Sequence, residues 1–391
     1  MERTFADLNP TPRILMGPGP SNVHPRVLRA MSAPVIGHLD PEFLAIMNDT
    51  RDLLKFVFQT KNTFTIAVSA TGSAGMETCL VNLIEPGDEV VICVNGVFGE
   101  RMSDIVGRCG GKLIRVDAPW GQVVDPANLK KALAACKPKL VALVHAETST
   151  GAWQPIEEIS RIVHEAGALL VLDTVTSLGG VPVTLDAWGV DACYSGTQKC
   201  LSCPPGLSPV SFNDRAMQAV RARKSKVQSW YLDMTMVERY WGEERFYHHT
   251  APISMIYALR EGLKIIYEEG LEKRFARHMA NHKALVAGLH AMGMRMFAQE
   301  GHRLPMLNTF WIPEGVEDVK VRKFLLAEHN IELGGGLGAV KGKIWRAGLM
   351  GESSSKNNVL LFLGALERAF KAQGYTKLTP GAGVAAAIAA Y

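Results

Sequence analysis

The sequence predicts an α/β protein, with a large domain built on a mainly parallel, buried sheet and a smaller α+β domain after it. Short apolar runs alternate with helical patterns from about residue 40 to residue 215, and such alternation indicates a parallel sheet covered by helices. After residue 250 the pattern changes to a long helical region and then to further strand-like runs. The length of 391 residues exceeds what one hydrophobic core usually serves.

The first long helix of the large domain has a clear start signal. In DPEFLAIMNDTRDLLKFVFQT, Asp40 provides an N-cap and Pro41 the first helical position. Apolar residues then recur at amphipathic spacing, namely Phe43, Ile46, Met47, Leu53, Leu54, Val57 and Phe58. Asp125 and Pro126 repeat the start signal before ANLKKALAAC. The predicted strands occupy residues 64–69, 89–95, 112–116, 139–145, 168–175 and 191–196, and a helix through Met76, Leu80 and Leu83 follows the first of them.

The second part of the chain begins with the helical region 252–293, in which Gly270 marks a break. Strands are predicted at 294–299, 308–313, 331–336 and 343–350, and a closing helix at 357–374. The Ala-rich stretch 379–391 is either a docked helix or a frayed end. We therefore divide the chain into an N-terminal arm (1–20), a large domain (21–270) and a small C-terminal domain (271–391).

Composition and charge are those of an ordinary soluble globular protein. Hydrophobic residues make up 47% and charged residues 20% of the chain, and 42 basic against 38 acidic residues leave a net charge of +4. Without a long basic block, nucleic-acid binding is not favoured, and no run reaches the roughly 20 apolar residues needed to span a bilayer. Seven cysteines without a visible signal peptide favour a reducing compartment, so we expect a cytoplasmic protein.

Reactive residues cluster directly after the predicted strands. Five Gly-, Ser- and Thr-rich segments do so: SATGSAG, NGVFGER, HAETSTG, DTVTSLGG and SGTQKC. Ligands of open α/β sheets bind beyond the carboxyl ends of the strands. The first segment precedes a helix, and its backbone N–H groups with the hydroxyls of Thr71 and Ser73 suit a phosphate. A plain capped turn is the alternative for this segment taken alone.

Three charged residues could carry chemistry, and each has an ordinary structural alternative. Asp173 ends an apolar strand, where a carboxylate needs a cationic partner or several donors; a salt bridge or a cap to the next turn would serve equally well. Lys199, among small residues, could form an imine with an aldehyde inside a cleft, whereas most lysines are simply solvated. Arg346 could bind a substrate carboxylate in a bidentate fork, or lie at the surface.

Two other motifs suggest metal or redox chemistry. Cys200 and Cys203 form a C-x-x-C with Cys193 nearby, yet no second pair at zinc spacing is present. We interpret these thiols as incidental and keep a zinc or redox protein as the minor alternative. In YHHT, adjacent histidines on an extended chain are expected to point to opposite sides, so His248 and His249 are interpreted as structural or as part of a polar site.

Taken together and in this order, the segments resemble the class V aminotransferases of fold type I, which use pyridoxal 5′-phosphate. The resemblance runs from LMGPGPSN through VNLIEPGD, NGVFGER, HAETSTGAWQP, DTVTSLGGVP, YSGTQK and YHHTAP to GGGLG and WRAGLMG. It is closest to the alanine–glyoxylate and serine–glyoxylate aminotransferases. This implies a large domain with a mainly parallel seven-stranded sheet and an obligate homodimer.

The resemblance also assigns roles around the cofactor ring. Lys199 is similar to the Schiff-base lysine of the family, and Asp173 to the partner of the pyridinium nitrogen, which keeps the ring protonated as an electron sink. Val175 is expected to pack on one face of the ring and Phe98 to stack on the other. Thr148 is expected to bond the phenolic oxygen of the ring.

The remaining assignments concern the phosphate and the substrate. The residues expected to hold the phosphate are Thr71, Gly72, Ser73 and Gln198, and Ser73 departs from relatives that carry histidine there. Tyr247 and Thr250 are expected to reach the phosphate of the neighbouring subunit. Arg346 is expected to bind the substrate carboxylate, with the backbone near Gly19 lining the same pocket.

The reaction implied is ping-pong transamination, in which the amine of Lys199 moves the α-proton of an amino acid. A small amino acid donates its amino group to glyoxylate, and alanine gives pyruvate and glycine. Alanine is the predicted donor because Tyr247 occupies a place where ureidoglycine-using relatives differ. Serine–glyoxylate transamination remains an alternative, since one hydroxyl changes discrimination by only ~10²-fold in an apolar pocket. Another class V reaction, such as desulfuration or kynurenine cleavage, is a further one.

Overall fold

The computed structural model describes residues 5–391, so the first four residues of the predicted arm lie outside the described chain. The strands are β1 (Ile14–Met16), β2 (Phe64–Val68), β3 (Glu89–Val94), β4 (Lys112–Asp117), β5 (Leu140–Val144), β6 (Ala146–Glu147), β7 (Ala152–Trp153), β8 (Leu169–Asp173), β9 (Ala192–Tyr194), β10 (Ser208–Phe212), β11 (Leu307–Trp311), β12 (Ile331–Gly335) and β13 (Ile344–Gly348). The helices are α1 (Pro25–Met31), α2 (Pro41–Phe58), α3 (Gly72–Leu83), α4 (Val97–Arg108), α5 (Pro126–Ala134), α6 (Glu157–Glu165), α7 (Leu185–Trp188), α8 (Asp214–Arg221), α9 (Met234–Trp241), α10 (Ile253–Glu269), α11 (Leu271–Ala291), α12 (Asp318–His329), α13 (Lys356–Ala372) and α14 (Ala382–Ala389).

The large sheet has seven strands in the order β2-β10-β9-β8-β5-β3-β4, which confirms the predicted mainly parallel sheet. All neighbouring strands are parallel except at β10, which runs antiparallel to both β2 and β9. Strands β2, β5 and β8 are buried along their whole length, as expected for a sheet covered on both faces. The sequence did not predict β10, which contains Pro209.

The start signals of α2 and α5 are confirmed. The Asp40 carboxylate accepts a hydrogen bond from the N–H of Glu42 at 2.8 Å, and Asp125 accepts one from Ala127 at 2.9 Å. Each therefore satisfies a backbone donor that the first turn of a helix leaves free. The six strands predicted in the large domain are all present.

The second sheet has four strands in the order β1-β12-β13-β11 and its own apolar core. Strand β1 comes from the segment predicted as an N-terminal arm, pairs parallel with β12, and buries Met16 in that core. The strand predicted at 294–299 is wrong, because Met296 makes only an isolated bridge to Phe310. The other three strands predicted here are present.

The helical region 252–293 is interrupted at Gly270, as predicted, and continues as α11. The Ala-rich tail forms α14, which packs against α11 and α13, so of the two forms considered the docked helix is correct. Helix α11 approaches α13 and α14 closely at Gly288. A Cβ atom there would lie 2.8 Å from the carbonyl oxygen of Gly383 and would also overlap the side chain of Leu363.

We therefore expect Gly288→Ala to destabilise this helix packing. The new methyl group meets backbone that cannot move aside, and overpacking of this kind typically costs about 1–3 kcal/mol. The matched control is Gly364→Ala in α13, where the new Cβ meets nothing closer than Val384 at 3.9 Å. That change should leave stability unchanged or raise it by up to about 1 kcal/mol. Thermal unfolding of both variants measures the difference, and equal midpoints would contradict the expectation.

Candidate active site

Most of the residues singled out in the sequence meet at the carboxyl edge of the large sheet. Strand β8 ends at Asp173, which lies beside Val144 of β5 on one side and Tyr194 of β9 on the other. The segments SATGSAG, NGVFGER and HAETSTG follow the ends of β2, β3 and β5. The sheet topology therefore brings these loops to one cleft.

Asp173 is buried, with 2% of its surface exposed. Its Oδ1 atom accepts a hydrogen bond from the N–H of Val175 at 2.8 Å, and its Oδ2 atom accepts one from the hydroxyl of Tyr194 at 2.6 Å. Burial raises the pKa of Asp173 to about 7, against the effect of these two donors. The carboxyl group is thus held in a fixed orientation.

Lys199 lies five residues beyond the end of β9, and its side chain is buried. Its Nζ atom donates a hydrogen bond to the carbonyl of Pro18, and Ser21 Oγ donates to the carbonyl of Lys199 at 2.7 Å. Burial, and after it the positive charge of Arg346, lower the pKa of Lys199 to about 8. Part of the amine is therefore in its neutral form near physiological pH.

Arg346, on β13, reaches from the small sheet into the cleft. Its Nε donates to the carbonyl of Gly335 at 2.8 Å, and its Nη1 donates to the carbonyl of Thr148 at 3.2 Å. The side chain is buried, and burial lowers the pKa of Arg346 to about 10. Within the described chain, Nη2 donates to no residue, which leaves one edge of the guanidinium available to a ligand.

The loop before α3 offers free hydrogen-bond donors. Thr71 is the N-cap residue, but its side chain makes no capping hydrogen bond, so amides of the first turn are not satisfied by it. A Cβ at Gly72 would lie 3.5 Å from Val175 and 3.4 Å from Gly196, which places this loop against the segment before Lys199. The amide oxygen of Gln198 is buried without a partner in the described chain.

Phe98 lies in the first turn of α4, and Thr148 in the turn between β6 and β7. The N–H of Phe98 donates to Glu147 at 3.3 Å, and the hydroxyls of Thr148 and Thr176 share a hydrogen bond. Arg101 lies over the Phe98 ring, 5.0 Å from its centroid. Arg101 also donates to Ser73 Oγ at 3.1 Å, so the ring lies close to the first turn of α3.

Tyr247 and Thr250 stand outside this group. Both are exposed, Tyr247 to 55%, and within residues 5–391 neither makes a hydrogen bond to the other candidate residues. The expectation that His248 and His249 point apart is wrong: their Nδ1 atoms lie 2.8 Å from each other. The chain is not extended there, and His249 Nε2 also contacts Ser69 Oγ at 2.7 Å.

Sequence reasoning missed Glu147 and Tyr194. Glu147 is fully buried and accepts hydrogen bonds from the N–H and the hydroxyl of Ser149, at 2.9 and 2.6 Å; burial raises its pKa. The available signals were a carboxylate inside HAETSTG and a tyrosine in an otherwise apolar strand. Both residues act on Asp173: Tyr194 donates to its carboxyl group, and Glu147 raises its pKa. Buried polar side chains such as these need an explanation.

The buried charged side chains of the cleft lack ion-pair partners, unlike the other buried charged side chains of the described chain. Among residues 5–391 the buried Asp, Glu, Lys and Arg side chains are Glu147, Asp173, Asp191, Lys199, Arg274, Arg346 and Glu367. Asp191, Arg274 and Glu367 form ion pairs, with Arg215, Glu269 and Lys371. The four in the cleft form no ion pair with any described residue. Because unpaired buried charges are costly, such an arrangement indicates a ligand site.

The described part of the chain shows no metal site, and the thiols of its C-x-x-C motif are buried. No group of three or more His, Cys, Asp or Glu side chains there could hold a metal ion. Cys200 and Cys203 are buried and unpaired, and burial raises their thiol pKa values to about 11 and about 12. Burial also raises the pKa of Cys193. None of the helices in residues 5–391 combines the length and apolar character that a membrane crossing requires.

A comparison with family models matches residues 15–354 to the class V aminotransferases. The chain belongs to this family. Its fold is that of the fold type I pyridoxal-phosphate enzymes, and family membership implies pyridoxal 5′-phosphate as its cofactor. The expectations of family, fold and cofactor drawn from the sequence are therefore confirmed.

Several relatives are similar over nearly the whole aminotransferase chain. A crystal structure of an alanine–glyoxylate aminotransferase from Nostoc sp. is 50% identical, with a TM-score of 0.93, covering 94% of this chain and 98% of that one. A ureidoglycine–glyoxylate aminotransferase from Bacillus subtilis is 41% identical, with a TM-score of 0.97, covering 99% and 100%. The alanine–glyoxylate aminotransferase of Mus musculus is 40% identical over 92% of this chain and 88% of its own.

The cleft of this aminotransferase fits the cofactor. Pyridoxal phosphate carries an aldehyde, a ring nitrogen that can be protonated and a phosphate. The cleft offers a buried amine at Lys199, a buried carboxyl at Asp173 and an uncapped helix N-terminus at α3. The buried amide oxygen of Gln198, an acceptor, has no donor within the described chain and is available to a donor on a bound group.

The close contact between Lys199 and Gly19 gives a test of this geometry. A Cβ at Gly19 would lie 2.6 Å from Lys199 Nζ, and Gly19 has a φ of +103°, which side-chain-bearing residues rarely adopt. We expect Gly19→Ala to displace the amine and lower kcat by about 10²-fold or more. Gly17→Ala is the matched control, since its Cβ meets nothing closer than 3.8 Å. Similar steady-state rates for the two variants would contradict the expectation.

Proposed function

We propose that this aminotransferase transfers the amino group of a small amino acid, alanine in first place, to glyoxylate, giving pyruvate and glycine. The observation that carries the proposal is the cleft in which an amine, a guanidinium and two carboxyls are buried without ion pairs. Each of these groups suits one part of the cofactor or of a substrate. The names of the relatives above support glyoxylate, because they share it and differ in the amino donor.

In this proposal the ring of the cofactor is held by five residues. Lys199 would hold the cofactor through its aldehyde carbon, and Asp173 would accept a hydrogen bond from its protonated ring nitrogen. Phe98 and Val175 would cover the two faces of the ring, and Thr148 would bond its phenolic oxygen. The burial of Asp173 and its position at the end of β8 support this assignment.

The phosphate is proposed to bind at the N-terminus of α3. The groups assigned to it are Thr71, Gly72, Ser73 and Gln198, and the uncapped first turn of α3 supports this placement. Tyr247 and Thr250 would bind the phosphate held by a second copy of the chain, which makes a homodimer the functional unit. The exposed aromatic residues around them, Trp230 and Phe246, support a covered surface there.

The chemistry of transamination matches the side chains of the cleft. Pyridoxal phosphate, when bound, accepts the electron pair left on the α-carbon of the amino acid and carries the amino group between the two substrates. Lys199 Nζ takes the α-proton, and its lowered pKa makes the neutral amine available for this step. Arg346 binds the substrate carboxylate and thereby orients the α-carbon toward that amine.

The space beside the amine favours a small donor. The carbonyl of Pro18 and the backbone of Gly19 lie against Lys199 Nζ, which limits the room for a substrate side chain. This supports alanine, with serine as the alternative donor. The Bacillus subtilis relative makes ureidoglycine the third donor to compare.

A donor–acceptor screen tests the proposal. The holoenzyme is assayed with alanine, serine, ureidoglycine and cysteine as donors, and with glyoxylate and pyruvate as acceptors. Alanine with glyoxylate should give the highest kcat/KM, and Lys199→Ala should lose turnover by at least about 10²–10⁴-fold. Lys61→Ala, an exposed lysine at the other edge of the sheet, is the control. Negligible use of glyoxylate, or release of alanine from cysteine without a keto acid, would overturn the proposed function.

Arg346→Lys tests the proposed carboxylate site separately. An ammonium cannot form the bidentate pair, so we expect KM for both donor and acceptor to rise by about tenfold or more. The effect on kcat should be smaller, because Lys199 and Asp173 are untouched. Steady-state kinetics with each substrate varied in turn gives both constants. A lower kcat with unchanged KM would instead place Arg346 outside the carboxylate site.

A further inference from the structure

Tyr194 and Asp173 form a buried hydrogen-bonded pair inside the large domain. The Tyr194 side chain is fully buried, and its hydroxyl donates to Oδ2 of Asp173 at 2.6 Å. The N–H of Val175 donates to Oδ1 at 2.8 Å. Each carboxyl oxygen therefore has one donor from the protein, and the two donors together fix the plane of the carboxyl group.

The hydroxyl of Tyr194 has a cost that packing does not explain. A phenylalanine would fill the same space in β9 without burying a polar group, and a buried hydroxyl needs a hydrogen-bond partner. The hydrogen bond that the structure shows for this hydroxyl goes to Asp173. The presence of a tyrosine here therefore points to its effect on that carboxyl.

Several ionisable groups face Asp173. Hydrogen bonds from Tyr194 and Val175, and the charge of Lys199, favour the ionised carboxylate, whereas burial and the Glu147 carboxyl oppose it. The buried thiols of Cys79 and Cys193 also lie near it. Among these groups Tyr194 is the side chain that donates a hydrogen bond to the carboxylate.

We propose that Tyr194 is a positioning residue for the cofactor, whose hydroxyl orients the Asp173 carboxyl and favours the ionised form that binds a protonated ring nitrogen. This inference rests on the role proposed above for Asp173. It adds a residue that touches neither cofactor nor substrate and acts through the carboxylate alone.

The first test is made on the full chain without cofactor, by comparing Tyr194→Phe with Tyr257→Phe. Tyr257 is also buried, and its hydroxyl donates to the carbonyl of Pro34 at 3.2 Å rather than to a carboxylate. The pKa of Asp173, about 7 in the folded chain, exceeds the value of about 3.9 for an unfolded chain. The contribution of Asp173 to stability is therefore complete below the unfolded pKa of about 3.9 and is lost as the pH rises through its folded pKa of about 7.

Removal of the Tyr194 hydroxyl should raise the folded pKa further. The loss of stability in Tyr194→Phe should then be larger at about pH 8.5 than at about pH 5.5, by about tenfold or more in the unfolding equilibrium constant. Tyr257→Phe should show the same loss at both pH values. An equal loss for Tyr194→Phe at both would overturn the inference.

The second test uses two cofactors, pyridoxal phosphate and its analogue with carbon in place of the ring nitrogen. The Asp173 carboxylate can accept a hydrogen bond only from the ring nitrogen of pyridoxal phosphate. Tyr194→Phe should therefore weaken binding of pyridoxal phosphate by about tenfold and leave binding of the analogue unchanged. Equal weakening of both would show a packing role and overturn the inference. Equilibrium dissociation constants from absorbance titration provide the readout.

Asp173→Asn separates this inference from the proposed function. If Asp173→Asn leaves the preference for pyridoxal phosphate over the analogue intact, the role of Asp173 itself is wrong. If Asp173→Asn abolishes the preference and Tyr194→Phe does not reduce it, only the inference about Tyr194 fails. In the Asp173→Asn background, Tyr194→Phe should have no pH-dependent effect, as a double-mutant cycle requires.

A fluorinated tyrosine at position 194 tests the role of the Tyr194 hydroxyl if the Tyr194→Phe variant does not fold. Fluorine makes the hydroxyl a stronger hydrogen-bond donor and leaves the ring in place. The ionised form of Asp173 is then favoured more, so binding of pyridoxal phosphate should tighten relative to the analogue. A change in the opposite direction would contradict the inference.

Discussion

The structure of the cleft depends on the burial of four charged side chains that do not pair with one another. Glu147, Asp173, Lys199 and Arg346 carry two negative and two positive charges when ionised, so the cleft is neutral as a whole. These charges influence one another in part, since Arg346 lowers the pKa of Lys199 and Glu147 raises that of Asp173. Direct ion pairs among these side chains would neutralise their charges and leave none of them free to bind a ligand. The fold keeps them apart, and this is what makes them available to a ligand.

Elements distant in sequence hold this arrangement. The segment after β1 runs from the small sheet to the large one, and on the way it places Pro18 and Gly19 against Lys199 and bonds Ser21 to the carbonyl of Lys199. On the other side, Arg274 donates to the carbonyl of Cys200 and pairs with Glu269 at 2.6 Å. The lysine is therefore fixed through its backbone from two directions.

The sequence predicted most of the large sheet, because its parallel strands are apolar runs with Gly-rich loops after them. It did not predict β10, since proline is usual at sheet edges and Pro209 lies in a central strand. Three-residue β1 has no periodicity to detect, and its pairing with β12 spans over three hundred residues. Asp173, Lys199 and Arg346 could be selected as candidates, whereas Glu147 and Tyr194 gave only weak signals. Their importance comes from what they contact in the fold, and such contacts are not visible in a single sequence.

In the proposed function, Arg346 would couple substrate binding to the basicity of the Lys199 amine. Its charge is the second cause, after burial, of the lowered pKa of Lys199. In the proposed function a substrate carboxylate pairs with Arg346 and offsets that charge, so repulsion of the protonated amine decreases and its basicity rises. The amine thus becomes a better proton acceptor when the α-carbon is in place. Before substrate arrives, the same repulsion keeps more of the amine neutral, which is the form that can attach to an aldehyde. In this proposal one arginine, reaching across from the small sheet, would serve both stages of the reaction.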